Sequence, residues 1–202
     1  MSRIVIIDYG MGNLRSVQKA LELHGASTII SHRIDDLKKA SGIVLPGVGA
    51  FRDAIKNINP VATTLKELIE ADTPVLGICL GMQLFATYSY EDGFHQGLDI
   101  IRGKVVRLPA HVKIPHMGWN SIKIMKRNKL LENIKDGDHF YFVHSYVVIP
   151  DEKDVIACTT NYSIEFCSVL SKNNIYATQF HPEKSGRSGL KILKNFIDIV
   201  GL

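Results

Sequence analysis

Residues 73–83 read Thr-Pro-Val-Leu-Gly-Ile-Cys-Leu-Gly-Met-Gln, and this stretch carries the strongest structural signal in the chain. The apolar run Val75–Ile78 predicts a buried strand, and the residues that follow predict a helix over Gly81–Tyr88. Cys79 lies between the two, in a Gly-x-Cys-x-Gly sequence. This is the cysteine form of the nucleophile elbow, a sharp strand-to-helix turn. Because such a turn leaves no room for flanking side chains, glycines at 77 and 81 fit it.

The position of Cys79 predicts a reactive thiol. A helix N-terminus favours the thiolate, and the backbone amide of Leu80 would point to where an oxyanion forms. The alternative is a buried structural cysteine, which is the commoner role of a free cysteine. Cys158 and Cys167 lie in apolar, strand-like runs and are expected to be inert core residues. With three cysteines in all, no disulfide framework is predicted.

The first half of the chain alternates strand and helix signals. Strands are predicted over Arg3–Asp8, Ser27–Ser31, Gly42–Leu45 and Val75–Ile78, and helices over Asn13–His24, Asp35–Ala40 and Pro60–Ala71. Pro46 is expected to end the third strand, and Pro60 to occupy the first position of its helix. Alternation at this spacing predicts a parallel sheet that is covered by helices on both faces.

The second half consists mostly of β-like runs separated by turn residues. These runs are Leu98–Leu108, Ser121–Lys126, His139–Ile149, Val155–Thr160, Ile164–Leu170 and Ile175–Phe180. Strands so closely spaced along the chain should pair antiparallel. A last helix is predicted over Gly189–Val200. The sequence therefore predicts one α/β domain over residues 1–202, with a parallel core and an antiparallel β extension.

Composition and charge exclude several classes of protein. The hydrophobic fraction of 46% and the charged fraction of 22% are those of an ordinary globular protein, and no apolar run could cross a bilayer. The stretch from Met1 to Asp8 is too short in apolar residues for a signal peptide and predicts a first strand, so we expect a cytoplasmic protein. The densest basic cluster, Lys123–Lys129, has four charges interleaved with apolar residues. No nucleic-acid or membrane partner is therefore expected.

A thiol nucleophile needs a base, and the base needs a group that orients it. His181 and Glu183 are the candidates, because they stand two residues apart in Gln-Phe-His-Pro-Glu directly after a predicted strand. Residues two apart in an extended segment face the same way, and Pro182 restricts the backbone between them. A surface turn is the alternative for the tripeptide alone. The other histidines show no ligand spacing with Cys or carboxylates, so no metal and no cofactor are expected.

A second glycine-rich loop, Pro46-Gly47-Val48-Gly49, follows the predicted strand Gly42–Leu45. In an open parallel sheet, ligands bind beyond the C-terminal ends of the strands, where this loop and the Cys79 turn should both lie. The glycines allow backbone amides to turn toward the site or away from it. A plain strand-to-helix connection is the alternative. Asp8–Asn13 resembles a dinucleotide loop but lacks the full spacing, so no nucleotide site is predicted.

Together these segments resemble the class I, triad-type glutamine amidotransferases over essentially the whole chain. The segments 46–49, 77–83 and 179–183 stand in that family's order. Further segments look like the glutaminase subunits of imidazole glycerol phosphate synthase, which serve histidine biosynthesis; they are Asp8–Asn13, Pro115–Asn120, Phe142–Tyr146 and His181–Ser185. The fold implied is the class I glutamine amidotransferase-like (flavodoxin-like) one, a mostly parallel sheet flanked by helices with an antiparallel β extension.

The resemblance implies roles for the matching positions. Cys79 would attack the side-chain amide of glutamine to form a glutamyl thioester, His181 would move the protons, and Glu183 would orient the ring. The backbone amides of Leu80 and Gly49 would hold the oxyanion. Substrate contacts are implied at Gly47, Val48, Gln83, His144, Ser145 and Tyr146. The face that meets a partner would include Asn13, Trp119 and Lys184, although core packing is the alternative for His116 and Trp119.

The resemblance also implies a partner. In the family, the glutaminase forms a heterodimer with a (β/α)8-barrel cyclase, which uses the ammonia to make imidazole glycerol phosphate and an aminoimidazole carboxamide ribotide. Free ammonia at neutral pH is mostly protonated and no longer nucleophilic, so direct transfer between subunits has a chemical reason. We expect Pro46–Gly49 to idle with an unformed oxyanion hole until the partner binds its nucleotide.

One stretch departs from the family pattern. Glu91–Ile100 is less glycine-rich than usual, and it is expected to lie away from the catalytic segments.

Three other functions stay open at this point. The chain could supply ammonia to a different synthase, for example in surface amino-sugar assembly, it could be a stand-alone cysteine hydrolase, or it could be a catalytically silent binding module.

Overall fold

The structure, a computed structural model, describes residues 3–202; Met1 and Ser2, which belong to the predicted domain and its N-terminal stretch, lie outside the described residues. The helices are α1 (Leu14–Glu22), α2 (Ile34–Leu37), α3 (Phe51–Glu70), α4 (Leu80–Leu84) and α5 (Gly186–Val200). The strands are β1 (Ile4–Ile7), β2 (Thr28–Ser31), β3 (Gly42–Gly47), β4 (Val75–Cys79), β5 (Ala86–Ser89), β6 (His95–Gln96), β7 (Ile101–Arg107), β8 (His116–Ser121), β9 (Lys123–Ile124), β10 (His139–His144), β11 (Tyr146–Pro150), β12 (Ile156–Asn161), β13 (Glu165–Lys172) and β14 (Ile175–Thr178). Within residues 3–202, no helix has the length and apolar character needed to cross a membrane.

An eight-stranded sheet forms the centre of the molecule, in the order β2-β1-β3-β4-β14-β13-β12-β9. The strands from β2 to β14 are parallel, and β13, β12 and β9 continue the sheet antiparallel. Side chains alternate between the two faces, so that Ile4 and Ile6 pack with α1 and α5 while Val5 and Ile7 pack with α3 and α4. Helices therefore cover both faces, and the predicted parallel core with an antiparallel extension is confirmed.

Two smaller sheets complete the fold, and they correct the predicted strand His139–Ile149. That run is divided at Ser145, because β10 pairs with β8 in a two-stranded sheet while β11 pairs with β7 in a four-stranded one. The predicted strand Ser121–Lys126 is likewise divided, because Ser121 is the last residue of β8 and Lys123–Ile124 form β9 in a different sheet. Pairing partners that are distant in sequence decide both divisions, and an apolar run alone does not reveal them.

The helix predicted over Pro60–Ala71 begins instead at Phe51 and contains Pro60 in its interior. Its buried residues recur every three or four positions, at Phe51, Ala54, Ile58, Val61 and Leu65. An interior proline costs about 3 kcal/mol, whereas each large apolar side chain buried by this stripe contributes about 1.5–3 kcal/mol. Pro60 itself is exposed, so the disturbed turn faces solvent. The continuous apolar stripe outweighs the proline.

Two other predicted boundaries were wrong. The helix after Cys79 ends at Leu84, and Ala86–Ser89 forms β5, because that segment pairs with β7 and β6. The strand predicted to stop before Pro46 continues to Gly47. It pairs with β1 only as far as Val44 but with β4 as far as Gly47, so a residue without an N–H is tolerated where one side is free.

Candidate active site

β4 delivers Cys79 into a turn of rare backbone conformation, with φ 54° and ψ −106°. Non-glycine residues avoid this region, and holding one there costs on the order of 1–3 kcal/mol. Helix α4 begins at the next residue. A Cβ on Gly81 would overlap the carbonyl oxygen of Leu45, and a Cβ on Gly77 would lie 3.0 Å from the backbone of Gly81. The turn therefore requires glycine on both sides of the cysteine.

His181 and Glu183 form a buried pair at the end of β14. The Nδ1 atom of His181 donates a hydrogen bond of 2.9 Å to Oε1 of Glu183, and the two side chains are 2% and 1% exposed. A carboxylate on Nδ1 leaves Nε2 to face the chemistry, and this atom is buried without a hydrogen-bond partner among the described residues.

The pKa of His181 is raised to about 10. Burial lowers it, but contact with Cys79 and the hydrogen bond and charge of Glu183 raise it by more. A ring in this setting keeps a proton at neutral pH when a thiolate is beside it. The arrangement can therefore separate charge between a sulfur and an imidazole.

Two groups that the sequence analysis did not single out contact the sulfur of Cys79. The Nε2 atom of Gln179 lies 3.6 Å from Sγ, and the carbonyl oxygen of Val143 lies 3.8 Å from it. Gln179 stands two residues before His181, as His181 stands two before Glu183. The same period-two argument that selected His181 and Glu183 could have selected Gln179 as well.

A pocket of about 270 Å³ opens beside the sulfur. Besides Cys79, its walls are formed by Val48, Gly49, Leu80, Gln83, Glu91, Pro115, Val143, His144, Ser145 and Tyr146. Most of the residues expected to contact substrate or oxyanion are thus brought to one cavity. Gly47 is the exception, since it is buried at the end of β3, where a Cβ would overlap the Tyr9 hydroxyl.

Glu91 corrects one expectation from the sequence. The stretch Glu91–Ile100 was expected to lie away from the catalytic segments, but Glu91 stands in the pocket wall. Its Oε2 atom accepts a hydrogen bond of 2.8 Å from the amide of Phe51, the first residue of α3. Burial raises the pKa of Glu91, and the Phe51 amide opposes that rise. The pocket wall therefore includes a carboxylate that is held by a helix N-terminus.

Hydrogen bonds fix the polar side chains behind the pocket. Gln83 donates from Nε2 to the carbonyl of Tyr146 at 3.1 Å and to Oε1 of Gln179 at 3.4 Å, which leaves its own Oε1 for a ligand. The Nδ1 atom of His144 donates to the same Tyr146 carbonyl at 2.9 Å, and its Nε2 lies 2.9 Å from Nδ1 of His116.

Both histidines of this network are neutral. Burial lowers the pKa of His144 to about 3 and that of His116 to about 4. Because both ring nitrogens of His144 are already bonded, its backbone rather than its ring is available to a substrate.

The loop Pro46–Gly49 is supported from behind by the loop that follows β1. The Tyr9 hydroxyl donates a buried hydrogen bond of 2.7 Å to the carbonyl of Pro46. A Cβ on Gly49, where φ is 120°, would overlap the end of the Met11 side chain. Gly49 and Leu80 both line the pocket that contains Cys79.

The three residues expected to face a partner lie in three different elements. Asn13 precedes α1, Lys184 is exposed in a short turn after His181, and Trp119 is 57% exposed on β8. The Trp119 ring lies 3.8 Å from the position of a Cβ on Gly186, so it borders the turn that contains Lys184. His116, in contrast, is buried, and the core-packing alternative applies to it alone.

The remaining cysteines have the surroundings of core residues. Cys158 and Cys167 are buried in β12 and β13. Burial raises the pKa of Cys158 to about 12 and also raises that of Cys167. Both thiols therefore stay protonated at neutral pH.

Comparison with known proteins gives consistent matches along the chain. Residues 5–200 match the family model for glutamine amidotransferase class-I. The chain is 46% identical over 202 residues to imidazole glycerol phosphate synthase subunit HisH of Moorella thermoacetica, covering 99% of this chain and 96% of the relative. The corresponding protein of Methanosarcina barkeri is 50% identical over 202 residues, with 98% and 100% covered.

Solved structures show the same fold at lower identity. A glutamine amidotransferase from Thermotoga maritima has a TM-score of 0.68 at 16% identity, covering 99% of this chain and 84% of that one. PurLQS from the same organism has a TM-score of 0.78 at 15% identity, with 98% of each chain covered. At these identities the likeness concerns the fold alone.

Proposed function

The chain belongs to the class I glutamine amidotransferase family, and from this premise we propose that it hydrolyses glutamine to glutamate and ammonia and delivers the ammonia to a synthase partner. The observation that carries the proposal is the strained Cys79 turn at a 270 Å³ pocket, with the buried His181–Glu183 pair beside it. We assign the whole chain, residues 1–202, to one glutamine amidotransferase type 1 domain that works in the cytoplasm.

The first half of the reaction forms a thioester. The Cys79 sulfur, its proton held by His181, attacks the side-chain carbonyl carbon of glutamine, and the carbonyl oxygen becomes an oxyanion. The amides of Leu80 and Gly49 are our candidates to stabilise that charge, and donors of this kind contribute about 10²–10³ to the rate. His181 then gives its proton to the departing nitrogen, so that ammonia leaves and a glutamyl thioester remains. Glu183 holds the ring in the orientation that both transfers need.

The second half consumes water and restores the enzyme. His181, now neutral, takes a proton from a water molecule as its oxygen attacks the thioester carbonyl. The tetrahedral intermediate expels the Cys79 thiolate, glutamate is released, and His181 keeps the proton for the next cycle. The sum is glutamine plus water giving glutamate, ammonia and one proton, which the new carboxyl group releases to solvent.

The pocket fits the amino-acid end of glutamine. An α-ammonium needs a carboxylate or carbonyl acceptor, and Glu91 supplies a carboxylate in the pocket wall. The free Oε1 of Gln83 supplies a second acceptor. Ser145 and Tyr146 also line this pocket. We assign Glu91 to the α-ammonium, which is a role the sequence analysis did not give it.

The relatives named above support one partner in particular. We propose that the ammonia goes to a (β/α)8-barrel cyclase, and that together the two proteins make imidazole glycerol phosphate and the aminoimidazole carboxamide ribotide of histidine biosynthesis. Asn13, Trp119 and Lys184 are assigned to the heterodimer face. The exposed indole of Trp119 beside the Lys184 turn supports this assignment, because aromatic residues are enriched in protein interfaces.

Steady-state kinetics of glutamate release test the substrate assignment. Glu91→Gln keeps the acceptor for the Phe51 amide but removes the charge, so KM for glutamine is expected to rise about 10-fold or more, with a smaller change in kcat. Asp92→Asn removes an adjacent, exposed charge and serves as the matched control, with KM unchanged. An unchanged KM in Glu91→Gln would remove Glu91 from the substrate site. Absence of any Cys79-dependent glutamate would remove the glutaminase function itself.

A further inference from the structure

The carboxamide of Gln179 is buried against the nucleophile. The residue is 0% exposed, its Nε2 lies 3.6 Å from Sγ of Cys79, and its Oε1 lies 3.4 Å from Nε2 of Gln83. We infer that Gln179 is a further catalytic residue, whose Nε2–H donates to the Cys79 sulfur and stabilises the thiolate. This inference rests on the proposed function, since it concerns the same sulfur.

The surrounding hydrogen bonds determine which end of the Gln179 carboxamide faces the sulfur. The carbonyl of Tyr146 can only accept, so the group that Gln83 presents to it must be the NH2. The second hydrogen of that NH2 is directed to Gln179, which must therefore present its oxygen to Gln83. The NH2 of Gln179 is left to face Cys79. The Tyr146 carbonyl, which can only accept, thus determines that Gln179 presents a donor to the sulfur.

The Tyr146 carbonyl is itself held in place. It also accepts from Nδ1 of His144, whose Nε2 must then accept from His116. His116 in turn presents Nε2 to the side-chain NH2 of Asn120 at 3.3 Å. Each ring has one donor and one acceptor, as neutral imidazoles do. Every bond in this chain therefore runs in the same direction, from Asn120 through His116 and His144 to the Tyr146 carbonyl.

A second donor to the sulfur, besides His181, is useful because one polar neighbour of the sulfur acts in the opposite sense. The carbonyl of Val143, 3.8 Å from Sγ, can accept the proton of a thiol but opposes a thiolate. A donor to an ionised group forms a stronger hydrogen bond than one to a neutral group, so Gln179 favours the anion. When the thiolate leaves the tetrahedral intermediate, His181 carries the proton taken from water, and Gln179 adds a second donor to the sulfur that does not titrate.

The pH dependence of Cys79 alkylation tests the inference without requiring glutamine turnover. The full chain is treated with iodoacetamide, and the modified Cys79 peptide is quantified by mass spectrometry. Gln179→Met removes the donor at similar length, while Gln179→Glu puts oxygens beside the sulfur. At pH 7 we expect alkylation about 10-fold slower in Gln179→Met and slower still in Gln179→Glu, with the rates converging on that of the parent protein at high pH.

Convergence of the alkylation rates at high pH distinguishes a lost hydrogen bond to the thiolate from a general disturbance of packing, which would slow alkylation at every pH. Asn195→Leu is the control, because it removes another buried carboxamide, which donates to the carbonyls of Leu130 and Glu132 on the α5 side of the fold. Its alkylation rate should equal that of the parent protein at every pH. Either Gln179 variant alone is enough to test the role of Gln179. If one of the two does not fold, the other is measured.

The inference is overturned if the Gln179 variant alkylates like the parent protein, or if it is slowed by the same factor at every pH. Glutamate release by the parent protein, together with the cyclase partner and its nucleotide ligand, is measured alongside. A parent protein that hydrolyses glutamine while the Gln179 variants alkylate normally would remove only the role of Gln179. A parent protein without glutaminase activity would remove the proposed function, and the alkylation result would still report on the contact with the sulfur.

Discussion

Replacing Cys79 by glycine should stabilise the protein relative to replacing it by alanine. Both variants lack the thiol, but only alanine must hold a side chain at φ 54° and ψ −106°. At an ordinary position the order is reversed. Cys158 provides that comparison, because it is buried in the strand β12 and has no positive φ.

The comparison between the two positions isolates backbone strain. Changing alanine to glycine costs about 0.4–1 kcal/mol through the unfolded chain and about 0.8 kcal/mol through the lost buried carbon. Cys79 and Cys158 are 5% and 0% exposed, so these costs are nearly equal at both. Relief of strain applies only at Cys79 and amounts to about 1–3 kcal/mol. The alanine-to-glycine change should therefore be about 2 kcal/mol more favourable at Cys79 than at Cys158.

Urea denaturation of the four single variants measures this difference directly. For a domain of this size, 1 kcal/mol corresponds to a shift in Tm of about 2–4 °C, so thermal unfolding gives an independent reading. Equal alanine-to-glycine costs at both positions would refute the reasoning that the elbow stores strain at the nucleophile. It would also mean that the flanking glycines alone make the turn possible.

Two further predictions concern the groups around the elbow. Tyr9→Phe should lower the free energy of unfolding by about 1–2 kcal/mol, because the buried Pro46 carbonyl loses its donor; Tyr176→Phe should cost less than about 0.5 kcal/mol, because the Tyr176 hydroxyl has no hydrogen-bond partner among the described residues. Equal losses in urea denaturation would contradict this. The pKa of His181 is about 10 against an ordinary 6.5, so its stabilising contacts are fully present below pH 6.5 and are lost as the pH rises toward 10. The difference in free energy of unfolding between the parent protein and Glu183→Gln should therefore narrow between pH 6.5 and pH 10. A difference that widens over this range would contradict a raised pKa of His181.

The sequence predicted those parts of the fold and site that depend on short-range patterns. The Cys79 turn follows from glycine spacing, because a Cβ at Gly81 has no room against Leu45. The sequence also predicted the pairing of His181 with Glu183, but from the period of an extended segment, whereas Pro182–Lys184 form a 3-10 turn that brings Glu183 back to the His181 ring. The two-faced sheet follows from the alternation of apolar runs with helical periodicity.

The parts that the sequence did not reveal depend on long-range pairing. Glu91 reaches the pocket because β5 joins a second sheet with β7 and because the Phe51 amide anchors the carboxylate. The division at Ser145 likewise depends on which sheet each half of the run joins. In α3, a local rule about Pro60 was overridden by a stripe of tertiary contacts. Each of these outcomes is decided by residues far apart in the chain.

Glutamate release measured with and without the cyclase partner and its nucleotide ligand is the most direct test of the account. Cys79→Ala is the blank. We expect the isolated chain to be slow and the liganded complex to be faster by about 10²–10³, the contribution of one oxyanion donor brought into place. The stimulation should disappear with Cys79→Ala. An isolated chain as fast as the complex would contradict the idling of Pro46–Gly49, and glutamate release that persists without the Cys79 thiol would contradict the central claim.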